Sequence, residues 1–384
     1  MTLTVTHFIR DLNPATGGPV SALANMVRCQ TEAGLRVRIA TPTSLQTNLG
    51  DYSDFPTGQS AEENSPSTDG PRSSPDVLVR KSDVIHLHGV WEPIIRNALA
   101  AAKKSGTPIV WTPHGMLTRW AMNQSRLKKH AYHRLLFRRH LPPSTVQHFA
   151  STAERDATVP CTRLAHGEVV PLGIDTNHFA TQRDPDYLQR VHQINGPSVL
   201  FVGRIHPGKG VEHLIAAAWH LPPEACTFVI AGPHYSDWAQ NQIQAATRLP
   251  VRFVFTGPLA PRDVAFALSS TTVYCLPSDH ENFGMAAAEA LAAGTPSLLS
   301  REVAIAAGAV DANAAAFCRR DPAGLAEDLA DALSKPNRLD SLGSKASAYA
   351  AKHFAIDVTA QRWRSLYESL TGHEATHPTD ATRA

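Results

Sequence analysis

The sequence has no C-x-x-C pair and no surplus of either charge, and no apolar run approaches the ~18 residues that a membrane-spanning helix needs. Its five cysteines, Cys29, Cys161, Cys226, Cys275 and Cys318, are scattered. That spacing excludes an ordinary thiolate zinc site and reads as a reduced, cytoplasmic protein without structural disulfides. A formal net charge of +2 builds no field that would make nucleic acid the main partner. The opening run from Met1 to Arg10 lacks a basic segment followed by an apolar one, so no signal peptide is expected. The one D-x-D, Asp184-Pro-Asp186, falls in a polar stretch and reads as linker rather than metal ligand, so no metal and no cofactor are expected.

What is present is a long alternation of short apolar runs with helical patterns. The 384 residues, 43% of them hydrophobic, suffice for two domains of ordinary size. Strand-like runs occur at 3–9, 37–40, 84–87, 109–112 and 145–150, and again at 198–202, 227–231, 251–255, 273–276 and 297–299. Strands alternating with helices imply parallel sheets, so the expectation is α/β, with two Rossmann-like doubly wound halves. The first domain is expected over 1–180, with a flexible insertion at about 44–75 that is rich in Ser, Pro, Gly and acidic residues. A linker over 181–197 leads to the second domain over 198–353. Trp363, Leu366, Tyr367 and Leu370 recur at helical spacing and predict a C-terminal helix over 354–370, followed by a disordered tail over 371–384.

The most informative feature is a pair of carboxylates, Glu281 and Glu289, in Asp279-His-Glu-Asn-Phe-Gly-Met-Ala-Ala-Ala-Glu289. Eight helical positions span about 12 Å, so the two cannot stack on one face. Glu281 is expected in the loop entering a helix and Glu289 in its first turns. They would flank a helix N-terminus, where backbone N–H groups favour an anion. Such a site suits a ligand with hydroxyls at both ends and phosphate in the middle.

Two Gly-rich turns offer phosphate contacts. Gly17-Gly18-Pro19 sits between a strand and a helix and reads equally as a phosphate-facing loop or a plain turn. Val202-Gly203-Arg204-Ile-His-Pro-Gly208-Lys209-Gly210 adds a guanidinium and an ammonium suited to pyrophosphate. It nearly spells a P-loop, but Gly210 stands where Ser or Thr would hold magnesium, which leaves phosphate contact and removes NTPase chemistry. Trp111-Thr-Pro-His114-Gly-Met-Leu117 ends a strand, and His114 there points into the ligand crevice of an α/β sheet. His86 and His88 alternate along another strand. No third metal ligand stands out near them, so packing at a cleft edge is favoured. The basic stretch from Arg126 to His140 mixes Lys and Arg with Leu, Tyr and Phe. It suits an anionic membrane surface and a solvated, inward-packed helix equally.

Together these segments resemble family-4 retaining glycosyltransferases of the GT-B fold. The matching pieces are Gly17-Gly18, Pro113-His114-Gly-Met-Leu117, Pro171-Leu-Gly-Ile-Asp175, Gly203-Arg204 with Lys209-Gly210, and the run from Pro277 through Glu289 to Pro296. They occur in family order over nearly the whole chain. The Pro113 segment followed by a basic helix further resembles bacterial members that build exopolysaccharide or lipopolysaccharide. The resemblance implies two domains facing a cleft, with the C-terminal helix returning to the first. It implies a nucleotide-sugar donor and a glycan or lipid-linked acceptor. Arg204, Lys209 and Gly203 would serve the diphosphate, and Gly17 and Gly18 would close over it from the opposite domain. Glu281, with the backbone of Asn282, Phe283, Gly284 and Met285, would hold the sugar, Glu289 the ribose, and His114 the sugar and acceptor. The segment 301–318 lacks the family's usual Gly-rich and acidic text. The rival readings are a nucleotide-sugar hydrolase or epimerase on the same plan, a P-loop-like NTPase, and a non-catalytic sugar-binding protein.

Overall fold

The computed structural model describes residues 2–12, 18–42, 74–123, 129, 132, 141–142, 144–159 and 167–372. Gly17, nearly all of the 44–75 insertion, the basic stretch 126–140 apart from Lys129 and Tyr132, and the tail beyond 372 lie outside the described residues. The chain divides into two units, one of Met1–Gly173 with Ile356–Ala384, the other of Ile174–Ala355.

The first unit is built on six parallel strands: β1 (Thr4–Phe8), β2 (Arg36–Ala40), β3 (Val84–His88), β4 (Ile109–Thr112), β5 (Val146–Phe149) and β6 (Gly167–Val169). Their order across the sheet is β2-β1-β3-β4-β5-β6. The order reverses between β1 and β3, which makes the carboxyl ends of those two strands the switch point where α/β sheets bind ligands. Helix Pro93–Ser105 covers one face. It starts on Pro93, stops at the left-handed Gly106, and buries Ile94, Ile95, Ala98 and Leu99 in a core with Phe8, Ile85, Leu87 and Trp111. Helices Gly18–Glu32 and Ile356–Thr371 pack on each other, and the second also meets β3. β1 and β3 are buried along their whole length, as parallel strands covered on both faces are. Their inward polar residues therefore need internal partners. Register sets His7 of β1 beside His86 of β3.

The second unit repeats the plan with β7 (Ser198–Val202), β8 (Thr227–Ala231), β9 (Arg252–Gly257), β10 (Val273–Leu276), β11 (Ser297–Leu299) and β12 (Ala316–Phe317). The order is β12-β11-β10-β7-β8-β9, with the switch point between β7 and β10. Residues expected as a linker over 181–197 belong instead to this unit. They form helix Tyr187–His192, which buries Tyr187 and Leu188. These two large side chains were hidden in a polar composition. Asp184 and Asp186 serve that helix: Asp184 pairs with Arg190 and accepts from the Asp186 amide at 3.2 Å. Among the described residues no helix is long and apolar enough to cross a membrane.

Candidate active site

The loops that follow β7 and β10 meet at the switch point of the second unit. Each ends in a glycine with φ of 98°, Gly210 before helix Val211–Ala218 and Gly284 before helix Met285–Ala292. A side chain is excluded at both. A Cβ on Gly210 would lie 2.6 Å from the Pro277 carbonyl oxygen, and one on Gly284 2.8 Å from Val303 Cγ1. Gly210 thus lies close against the Pro277 backbone and Gly284 against the Val303 side chain, with a helix N-terminus behind each.

The sequence-expected residues Lys209 and Glu281 are joined here. Lys209 Nζ donates to Glu281 Oε1 at 2.6 Å, and Ser278 Oγ donates to the same oxygen at 3.2 Å. The Glu281 backbone is pinned from both sides, its N–H donating to Glu302 O at 3.0 Å and its carbonyl accepting from Ala304 N at 3.1 Å. Arg204, partly exposed, has no ion-pair partner among the described residues. Gly203 has its oxygen so near Gly232 that a Cβ on the latter would approach within 1.9 Å. Glu289 lies within helix Met285–Ala292, five residues past Gly284. Burial, with the Glu281 and Glu289 charges adding to it, holds the Tyr274 phenol well above its usual range. Asn282 Oδ1 accepts from His280 Nε2 at 2.9 Å. The Phe283 ring is buried edge-on to Phe354, leaving its backbone at the loop.

Sequence reading missed the frame around this pair. Arg320 donates to Asp279 Oδ1 at 2.6 Å and to Glu302 Oε1 at 2.7 Å, tying the loop after β10 to the loop after β11. Burial works against the Asp279 charge, but hydrogen bonds from His213 and Arg320 hold its carboxyl below the usual range. Glu212, His213 and Asp279 offer donor atoms within 4.8 Å of one another. Asp279 Oδ1 is nevertheless taken by His213 at 3.0 Å and by Arg320, so a cation there would compete with two partners already in place.

In the first unit Gly18 opens helix Gly18–Glu32, and His114 sits in the turn after β4 with φ of 51°. A left-handed non-glycine residue costs about 1–2 kcal/mol and persists where surrounding contacts fix it. They do here: Glu154, buried, accepts from the Gly115 and Ala150 amides, and Thr118 Oγ1 donates to Gly115 O at 2.9 Å. Behind His114 lie His88, His7 and His86, stacked with centroids 4.4–5.1 Å apart. The third imidazole that sequence did not find is therefore His7, and the donor atoms of His7, His86 and His88 fall within 4.8 Å. His7 Nδ1 and His88 Nε2 are, however, 2.7 Å apart. Two nitrogens on one zinc at 2.0–2.1 Å would stand roughly 3.3 Å from each other. A shared proton fits this spacing and a metal does not.

The chain is similar to known glycosyltransferases. The family described as Glycosyltransferase Family 4 matches residues 16–178, and the one described as Glycosyl transferases group 1 matches residues 188–349. A D-inositol 3-phosphate glycosyltransferase of Xylanimonas cellulosilytica is 29% identical over 53% of this chain and 51% of its own. A glycogen synthase of Mycobacterium tuberculosis is 30% identical over 67% of this chain and 61% of its own. The chain spans about half the length of the curated relatives it matches. Among solved structures, Anabaena HepE in complex with UDP and glucose superposes with a TM-score of 0.72 at 18% identity, covering 96% of this chain and 100% of that one. Sucrose-phosphate synthase from Thermosynechococcus elongatus gives 0.72 at 17% identity, covering 97% and 100%. Two family matches in chain order, over two parallel α/β units whose loops carry the expected residues, make this chain a member of the family-4-like glycosyltransferases of the GT-B fold.

Proposed function

We propose that the protein transfers a sugar from a nucleoside-diphosphate donor to a hydroxyl of a glycan or lipid-linked acceptor in cell-surface polysaccharide synthesis, retaining the anomeric configuration and using no metal. The observation that carries this reading is the cluster at the β7/β10 switch point: Arg204 without an ion-pair partner among the described residues, Lys209 bonded to Glu281 at 2.6 Å, and two helix N-termini. A departing diphosphate gains negative charge in an oxocarbenium-like transition state. Arg204, Lys209 and the helix ends supply fixed positive potential for it, the part a divalent ion plays elsewhere. Glu281, held by Lys209 and Ser278, accepts hydrogen bonds from sugar hydroxyls rather than attacking carbon, and Glu289 takes the ribose. Gly203 and the backbone of Asn282, Phe283, Gly284 and Met285 line the same loops, and the sequence resemblance adds Gly17, Gly18 and His114 to the donor and acceptor residues. With no carboxylate free for nucleophilic attack in this assignment, the acceptor hydroxyl attacks from the leaving-group side and gives its proton to a donor phosphate oxygen.

The relatives carry names as different as D-inositol 3-phosphate glycosyltransferase, 2-deoxystreptamine glucosyltransferase and glycogen synthase. They leave the acceptor open, so the cell-surface assignment rests on the Pro113–Leu117 text with the basic stretch that follows it. From sequence, the stretch 126–140 adds cytoplasmic-side contact with an anionic membrane. Sedimentation with anionic against neutral vesicles tests that part.

Release of nucleoside diphosphate is to be measured over UDP-, GDP- and ADP-sugars, with and without acceptor alcohols. Transfer predicts release that depends on the acceptor and yields a glycoside of unchanged anomeric configuration. Release of free sugar regardless of acceptor would make the protein a hydrolase. Arg204→Ala and Glu281→Ala are each expected to lower kcat/KM for the donor by about 10²-fold, and the reading fails if both retain full activity at subsaturating donor.

A further inference from the structure

The histidines behind His114 form one unbroken hydrogen-bond chain through the core of the first unit. His148 Nε2 meets the Val170 carbonyl at 2.8 Å, and His148 Nδ1 meets Thr112 Oγ1 at 2.8 Å. Thr112 Oγ1 meets His86 Nε2 at 2.6 Å, and His86 Nδ1 meets the Tyr367 hydroxyl at 2.8 Å. The Gln30 amide then links Tyr367 at 2.8 Å to His7 Nε2 at 2.7 Å. His7 Nδ1 meets His88 Nε2 at 2.7 Å, and His88 Nδ1 meets His114 Nε2 at 2.9 Å. His114 is the only partly exposed ring among these and ends the chain.

The direction of every bond follows from one group that can act in a single way. A carbonyl only accepts, so His148 carries its proton on Nε2. Its Nδ1, in a neutral ring, must accept from the Thr112 hydroxyl. Thr112 has spent its proton and accepts from His86 Nε2–H. His86 Nδ1 accepts from Tyr367 O–H, the Tyr367 oxygen from the Gln30 amide N–H, and Gln30 Oε1 from His7 Nε2–H. His7 Nδ1 accepts from His88 Nε2–H, and His88 Nδ1 from His114 Nε2–H. Turning the Gln30 amide round would leave two lone pairs facing each other somewhere along the chain, which burial penalises. Neutral rings are required throughout, because the stacked imidazoles cannot share a buried core as cations.

We propose that this chain is a tautomer lock: it fixes the proton of His114 on Nε2 and leaves Nδ1 as a bare lone pair, so that His114 recognises its ligand only by accepting from a hydroxyl, with His88, His7 and Gln30 as positioning residues. Nδ1 has no partner among the described residues, and the strained turn held by Glu154 fixes the ring's place. The titratable groups facing His114 are His88 from β3, His148 from β5 and, at the neighbouring amide, Glu154. No Lys, Arg, Asp or Glu side chain bonds any ring of the chain among the described residues. An imidazolium at His114 would reverse its outward nitrogen from acceptor to donor. The buried Nδ1 of His88 fixes the tautomer by accepting from His114 Nε2–H, and burial keeps the ring neutral.

Long-range ¹⁵N–¹H spectra of the histidine-labelled protein read the tautomer directly, with the His114 signals identified by their loss in His114→Asn. The expected result is a proton on Nε2 and a bare Nδ1 throughout about pH 5 to 8. A proton on Nδ1, or an imidazolium at any pH in that range, overturns the proposal. This readout needs no turnover and is independent of whether the proposed transfer reaction is correct. Activity then tests the positioning role, which does rest on that reaction. His88→Leu is expected to lower donor kcat/KM about tenfold, the worth of one good hydrogen bond, and to let the His114 proton appear on Nδ1 as well as Nε2 in the spectra. His88→Gln, whose amide can both accept from His114 and donate to His7, is expected to restore the level and the single Nε2–H tautomer. Equal losses in the two variants with the proton on Nε2 in both would reduce His88 to a packing residue.

Discussion

At the scale of single residues the first unit carries opposed titrations. Burial pulls His7 and His148 down to about 4 and His114 to about 3 from the ordinary 6.5, and holds His86 and His88 well below 6.5. Unfolded, each takes a proton below 6.5 that the folded protein refuses, so stability present above 6.5 is lost as pH falls toward 4. Each such group costs about 1.4 kcal/mol per pH unit in that window. Glu154 runs the other way. Burial raises it from 4.5 to about 7, so its contribution is present below 4.5 and is lost as pH rises through 7. One carboxyl cannot offset several imidazoles. The urea midpoint is therefore expected to fall steeply from pH 7 to pH 5, and Glu154→Gln, which removes the opposing term, is expected to steepen the fall. A midpoint that stays flat over this range would mean that the rings are charged or exposed in the folded protein.

At the scale of elements, the close approach of the loops after β7 and β10 explains what the sequence displayed and what it withheld. Gly210→Ala brings a Cβ within 2.6 Å of the Pro277 oxygen at φ of 98°, whereas Gly257→Ala, at φ of 72°, meets nothing within 4 Å. The second substitution carries only the left-handed backbone cost of about 1–2 kcal/mol; the first adds overpacking of about 1–3 kcal/mol. Urea unfolding should show that difference, and donor affinity should drop in Gly210→Ala alone. Equal effects would mean that the loops do not depend on each other. Gly210 was visible in a strand-to-helix turn, and the strands were visible because buried parallel strands are continuous apolar runs. β6 and β12 were not expected, since three and two residues leave no pattern to read. Glu281, Glu289, Arg204 and Lys209 could be picked out because each stands in a short motif. The Lys209–Glu281 bond joins residues 72 apart, and Arg320 reaches back 41 positions to Asp279. Such pairs become legible only once β10 is known to lie beside β7. The same holds for His7, which meets His86 and His88 because β1 lies beside β3.

At the scale of the whole molecule the two units depend on the chain unequally. The second is continuous from Ile174 to Ala355 and contains every strand of its sheet, whereas the first is completed by helix Ile356–Thr371 from the other end of the sequence. That helix buries Thr359, Ala360, Trp363, Leu366 and Tyr367. Trp363 and Tyr367 are among the largest fully buried side chains, and Tyr367 closes the hydrogen-bond chain between Gln30 and His86. Deleting a buried aromatic side chain costs about 3–5 kcal/mol, and a domain's whole stability is about 5–15 kcal/mol. Losing two aromatics, with the Gln30 amide N–H and His86 Nδ1 left without the Tyr367 hydroxyl in the core, uses up that margin. A chain ending after Ala355 is therefore expected to retain a folded second unit and lose the first. Limited proteolysis should leave a resistant fragment near 174–355 and degrade 1–173, while the intact chain protects both. Survival of 1–173 in the shortened chain would show that its own helices cover the β1–β3 face without help, and the tautomer lock would then have to close without Tyr367.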